Sequence, residues 1–253
     1  MAAQILQYVE FPNSNSNYSG LPWAISFPRN MTAGSKIVVV STQSNDPGDP
    51  TIVFTDTKSN TYGKKVDAVD LTPGNQRFFI FYCETPTLLT TSDTFLVTYT
   101  GSGATDWTGY AAFEVAGLKT TAYLGANGND QQGITGFSSG NLNTGSIACG
   151  SGTVFVIAAS TGTTQNGAAP YYPTVGAGGL STYATWFNDS QVASPGNIGT
   201  LAFGTFQNPG TRTFTFSSPS GASSDAFVTV GIALAVAASG SGVQQSFSTL
   251  GVG

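Results

Sequence analysis

Phe227-Val-Thr-Val-Gly-Ile-Ala-Leu-Ala-Val-Ala237 is the stretch that decides the fold of this chain. Val228, Val230, Ile232, Leu234 and Val236 alternate with Thr229, Gly231, Ala233, Ala235 and Ala237. A strand sends successive side chains to opposite faces, so one face here is large and the other small. The small face permits close approach of a second layer: a sister domain, another subunit, or the facing sheet of one tight sandwich.

The same period recurs outward from this segment. Strand patterns bounded by turn formers cover Trp23–Phe27, Ser35–Thr42, Thr51–Thr55, Arg77–Glu84, Thr94–Thr100 and Thr108–Ala116. The second half adds Gly145–Ala148, Thr153–Ala159, Thr182–Asn188, Gly199–Phe206 and Arg212–Ser217. No dozen residues keep apolar positions at helical spacing, and Gly, Pro and Asn interrupt throughout. Many short strands with Gly-rich turns predict an all-β protein built as sandwiches or barrels.

The halves resemble each other. Ile37-Val-Val-Val40 aligns with Val154-Phe-Val-Ile157 at an offset of 117, and Val97-Thr-Tyr99 aligns with Phe214-Thr-Phe216 at the same offset. Each half then passes a Gly/Ser loop with an aspartate, Asp106 or Asp225, and closes on a long apolar strand. The expectation is two tandem jelly-roll-like or Ig-like β-sandwiches, 21–118 and 119–238, joined near Gly117–Gly125. Residues 1–20 and 239–253 are rich in Asn, Ser and Gly and bury too little to order alone. They are expected to be extended N- and C-terminal arms, lying on neighbouring copies or folding back on their own domain.

Composition removes several function classes. Charged residues are 8% of the chain and histidine is absent. No Ser-His-Asp or Cys-His nucleophile can be assembled, and no imidazole zinc site. A net charge of −5 opposes nucleic-acid binding. Residues 121–253 carry only Arg212, Asp130, Asp189 and Asp225 as charges, so little repulsion keeps copies apart. No apolar run reaches the roughly 18 residues of a spanning helix, and no basic segment precedes an apolar one at the amino end. The expected protein is soluble and works without membrane or nucleic acid.

Candidate sites are few. Asp46-Pro-Gly-Asp49, with Asp56, offers at most a partial calcium set and reads mainly as a turn. Asp67 and Asp70 beside Lys64-Lys65 read as a charged loop. Glu84 and Glu114 could meet on adjacent strands, but nothing else suggests the carboxylate pair of a glycosidase. Cys83 sits in an apolar run and reads as a buried thiol; a Cys83–Cys149 disulfide stays open. No catalytic, cofactor-binding or metal-binding residue is assigned, and no cofactor is expected. Tyr171, Tyr172, Tyr183, Trp186 and Phe187 flank an uncharged Gly-rich loop. They could stack on a glycan, with Asn188 or Gln191 supplying hydrogen bonds, or pack in a core or between subunits.

Thr51-Ile-Val-Phe-Thr-Asp56-Thr-Lys-Ser-Asn60-Thr-Tyr62 resembles the strand–turn–strand of Gly/Thr-rich β-sandwich proteins from tailed-phage virions. Their strand order is matched by Ile37–Val40, Asp56–Tyr62, Phe78–Tyr82, Phe95–Tyr99 and Tyr110–Gly117. The likeness covers 35–118; the second half lacks the Asp–Asn–Thr–Tyr turn. Its motifs are structural and bring no catalytic residues. The resemblance implies a non-enzymatic virion structural protein of a bacterial virus, in the tail or on the capsid, a minor tail protein being favoured slightly. Its partners would be copies of itself and other virion proteins. The alternative is a carbohydrate-binding module or adhesin that holds a cell-surface glycan through the aromatic cluster.

Overall fold

β-Branched and aromatic residues at every second position, cut by Gly, Asn and Pro, leave the backbone no periodic partner except a neighbouring strand. The computed structural model describes residues 2–11, 23–43, 51–69, 77–100, 108–131, 142–164, 174–176, 179–188, 196–217 and 227–238. Its elements are all strands: β1 (Gln4–Phe11), β2 (Trp23–Ile25), β3 (Lys36–Gln43), β4 (Thr51–Asp56), β5 (Gly63–Val69), β6 (Arg77–Cys83), β7 (Phe95–Thr100) and β8 (Thr108–Ala116). There follow β9 (Leu118–Gln131), β10 (Leu142–Gly150), β11 (Thr153–Thr164), β12 (Thr174–Val175), β13 (Ser181–Asn188), β14 (Gly196–Gln207), β15 (Gly210–Ser217) and β16 (Phe227–Val236). The protein is all-β, as the sequence predicts.

Among the described residues four sheets form, and the two halves repeat one plan. The first eight strands give the orders β1-β8-β3-β6-β5 and β2-β7-β4; the last eight give β9-β16-β11-β14-β13 and β10-β15-β12. Every strand of the first half has its counterpart eight strands later. The two aligned sequence segments fall on β3 and β11, at the centres of the five-stranded sheets, and on β7 and β15, at the centres of the three-stranded ones.

Alternation along the central strands divides the interior into three cores. Ile37 and Val39 of β3 meet Phe54, Phe79, Phe81 and Phe95 between the first half's two sheets. Val154, Val156 and Ala158 of β11 meet Ile147, Phe214 and Phe216 between the second half's two. The opposite faces of the two five-stranded sheets close on each other. Val38, Val40, Phe78, Ile80, Phe113 and Val115 pack there with Phe155, Ile157, Leu201 and the large face of β16. Each such side chain contributes about 1.5–3 kcal/mol on leaving water.

The two faces of β16 therefore have different partners. Val228, Val230, Ile232, Leu234 and Val236 fill the core between the halves. The small face lies under β10 of its own half, where a Cβ on Gly231 would come 2.9 Å from Ile147 Cδ1 and 3.1 Å from Thr144 Cγ2.

Three segments differ from the sequence reading. Gln4–Phe11, inside the stretch expected to be an arm, is β1 and pairs with β8. Gly63–Val69, expected as a charged loop, is β5: Val66 and Ala68 enter the core between the halves, while Asp67 pairs outside with Lys64 and Arg77. The alternation of Val66 and Ala68 with Lys65 and Asp67 was the available signal, masked by the run of charge. The expected joint at Gly117–Gly125 is mostly β9, a strand through Gly and Asn held by β16. The turn itself is Gly117, at φ 76°. A Cβ there would strike the Ala2 backbone carbonyl, and Ala237 N–H donates to Gly117 O at 2.8 Å. Chain start, joint and the end of β16 meet at one point.

At Gly128 of β9 an added Cβ would lie 2.7 Å from both Ala68 Cβ and Val66 Cγ1 of the other half. Gly128→Val is expected to cost about 1–3 kcal/mol by overpacking and to lower the melting temperature, measured by calorimetry, by several degrees.

Candidate functional site

Among the described residues, buried polar knots form around Asp56, around Glu114 and around Lys36 with Glu84. The first follows β4. Asp56 ends that strand buried at 4% exposure. Its Oδ1 accepts from Lys58 N at 2.9 Å and Asn60 N at 3.1 Å. Its Oδ2 accepts from Asn60 Nδ2 at 2.8 Å and the Tyr62 hydroxyl at 2.5 Å. These bonds hold Ser59 at φ 58°, a left-handed conformation disfavoured for a residue with a Cβ. Burial first, then the bonded Asp56 carboxylate, pushes the Tyr62 phenol far above its ordinary value. Four donors occupy the carboxylate that the calcium reading needed. Asp46 and Asp49 lie outside the described residues.

The second knot ties β1 down. Glu114, on β8, is 1% exposed. It accepts from Gln7 Nε2 at 2.5 Å, Thr32 N at 2.6 Å and the Ser35 hydroxyl at 2.7 Å. Gln7 also exchanges two bonds with the Arg29 backbone, each 3.0 Å. Arg29 Nη2 donates to Leu6 O at 2.6 Å. A cleft of about 310 Å³ opens beside these groups.

The third knot closes the joint between the halves. Lys36, at the start of β3, is 5% exposed. Its ammonium donates to Glu84 O and to Thr120 O and lies 3.9 Å from the Glu84 carboxylate. Glu84 Oε1 accepts from Ala122 N at 2.6 Å and from the Tyr82 hydroxyl at 3.3 Å. One buried cation thus joins the end of β6 to the start of β9.

Glu84 and Glu114 do not form a pair. Strand β3 separates β6 from β8. Glu84 bonds with groups bordering the core between the halves, whereas Glu114 bonds with Gln7, Thr32 and Ser35 on the other face. Each is consumed by backbone and side-chain donors.

The cysteines are free and sit in different cores, Cys83 in the first half's and Cys149 in the second's. That settles the open disulfide: they are not joined. Burial, with the Asp56 charge second, pushes the Cys83 thiol up to about 11; burial raises Cys149 as well. Among the described residues no three His, Cys, Asp or Glu side chains gather to hold a metal ion. No described helix is long and apolar enough to cross a membrane.

Of the aromatic cluster, Tyr171 and Tyr172 lie outside the described residues, as does Gln191. Tyr183, Trp186 and Phe187 belong to β13, the outer strand of its sheet, with Trp186 opposite Gly199 and Phe187 opposite Ile198; their side chains lie outside what is described. Gln7, Thr32, Ser35 and Lys36 carried no sequence signal, because the bonds from Gln7 and Lys36 span 22 to 107 residues.

No protein-family model matches the chain, and no curated protein or solved structure matches it.

Asp56→Ala strands the buried Asn60 amide and Tyr62 hydroxyl and is expected to cost on the order of 2–4 kcal/mol in urea unfolding, with Asp56→Asn losing less. Asp93 makes a pH prediction. The Thr90 backbone N–H, then the Thr90 hydroxyl, lower its carboxyl from 3.8 to about 2. A folded value below the unfolded one means the stabilisation is complete above the unfolded value and fades as pH falls through the folded one. Thermal melts of Asp93→Asn should therefore lose less stability than wild type between roughly pH 4 and 2.

Proposed function

We propose that the chain is a non-enzymatic structural protein of a bacterial virus, a tail or capsid-surface component that assembles through its sheets and arms. Its two halves are read as jelly-roll sandwiches in tandem. The observation that carries the reading is the duplicated eight-strand order. In each half the first, eighth, third and sixth strands share one sheet, while the second, seventh and fourth share the other. That order supports the jelly-roll reading, in which two Greek keys are wound as in capsid and lectin folds. The fifth strand joins the larger sheet beside the sixth.

Two further features support a scaffold. Asp56, Glu84, Glu114 and Lys36 each spend their polar atoms on fixing loops or strands, so their chemistry goes into holding shape. The second half has almost no charge, which favours close packing against like surfaces. The resemblance of 35–118 to tailed-phage β-sandwiches supports the same reading, with the virion as the proposed location.

Light scattering of the purified full-length protein over a range of concentrations tests this. A multimer of fixed stoichiometry is expected. A monomer throughout, with saturable retention on a neutral glycan that Trp186→Ala removes, would replace the assembly reading with the carbohydrate-binding one.

A further inference from the structure

The three arginines of the chain are compensated unequally. Arg77 pairs with Asp67, and Arg212 lies over the Phe206 ring, 4.7 Å from its centroid. Arg29 has neither: among the described residues no carboxylate stands within ion-pair distance of it and no ring lies under it. It is exposed, yet its position is fixed. The Gln7 amide bonds both its backbone N–H and its backbone carbonyl, each at 3.0 Å, and Nη2 is held on Leu6 O at 2.6 Å. A guanidinium is a planar fork of donors, so anchoring one nitrogen leaves most of the fork unspent.

Arg29 lines the cleft of about 310 Å³ beside β1, a volume at the small end of ligand sites. The neutral polar groups lining the same cleft are also unspent. Asn30 commits its Oδ1 to Thr91 N at 3.0 Å, and Thr32 commits its backbone N–H to Glu114 and its carbonyl to Ser35. Asn30 Nδ2, the Thr32 hydroxyl and the Gln4 amide take no partner among the described residues, and all three residues are exposed. Beneath them Gln7 and Glu114 are buried and bonded to each other at 2.5 Å. A fixed cation and several open hydrogen-bonding groups thus surround a rigid, already satisfied pair.

We propose that this cleft binds a sugar carboxylate, a single uronate residue. Arg29 takes the carboxylate through paired, charge-assisted hydrogen bonds. Gln4, Asn30 and Thr32 serve the ring hydroxyls, and Ile5, which lines the same cleft, meets the apolar face of the sugar. One free cation matches one negative charge, and the Glu114 carboxylate below disfavours a second, which argues against phosphate. A bare carboxylate or an acidic side chain would leave the amides and the hydroxyl unused. Every group belongs to one chain, so the site does not rest on the assembly reading above.

Titration calorimetry of the full-length protein with glucuronate tests this, beside glucose, acetate, inorganic phosphate and a short glutamate-containing peptide. Saturable binding of one glucuronate per chain is expected, with every other probe weaker by about tenfold or more. Gln4→Glu brings a like charge to the cleft and breaks no bond of the fold. It is expected to weaken glucuronate about tenfold with an unchanged melting temperature. Arg29→Lys keeps the charge without the fork and is expected to weaken it similarly; because that change also releases Leu6 O, its melting temperature is recorded alongside. No saturable binding of glucuronate, equal binding of glucose, or undiminished binding by Gln4→Glu would overturn the proposal. Acetate, phosphate or the peptide binding as tightly as glucuronate would overturn it too, by showing that the sugar hydroxyls are not read.

Discussion

The contact between the two five-stranded sheets is the constraint on which the rest of the molecule depends. Each half uses one face of its larger sheet to cover its own small sheet, and the other face is just as apolar. Val38, Val40, Phe78 and Ile80 on one side, and Phe155, Ile157, Val230 and Ile232 on the other, have no polar partner available within their own half. Left open, either face would be an apolar patch of the kind that soluble monomers rarely display. The pairing of the halves removes both at once, so each half completes the other and the boundary drawn at residue 118 divides sequence more than it divides core.

That contact also explains the small residues and the polar clasp at the joint. Gly128 over Ala68 and Val66 lets β9 approach β5, and Lys36 ties Glu84 to Thr120 where the chain crosses between halves. A buried ammonium is expensive to desolvate unless carbonyls and a carboxylate surround it. Lys36 has both, and its position is fixed by β3 running through the centre of the sheet. The clasp ties the end of β6 to the start of β9, while the apolar face supplies the energy.

The sequence was legible where one strand face differs from the other by size or polarity. β3, β6, β8, β11 and β16 each carry apolar runs strong enough to be seen alone, and the shared offset picked out the equivalent central strands. β1, β5 and β9 escaped for separate physical reasons. β1 is an edge strand whose burial is slight, so its composition passes for an arm. In β5 the neighbouring Lys64, Lys65 and Asp67 conceal the Val66–Ala68 face. In β9, Gly and Asn stand where close approach and edge-sealing hydrogen bonds are needed, and those residues also mark loops. The polar knots were illegible for a different reason: a glutamate bonded to a glutamine 107 residues away has no local signature. Only the Asp56–Asn60–Tyr62 turn, compact in sequence, could be recognised in advance.

The halves share one strand order but differ in how their edge strands are held. In the second half Asn127 and Asn129 of β9 bond to β10, whereas in the first half β1 is latched through Gln7. An unsealed edge strand is a liability for a free monomer, because its unpaired backbone invites other chains. A protein with so few charges has little repulsion to prevent that. Gln7 answers it from within the chain: Glu114 accepts its amide and the Arg29 backbone takes the other two bonds, so β1 is fixed in one register by groups that carry almost no net charge to the surface.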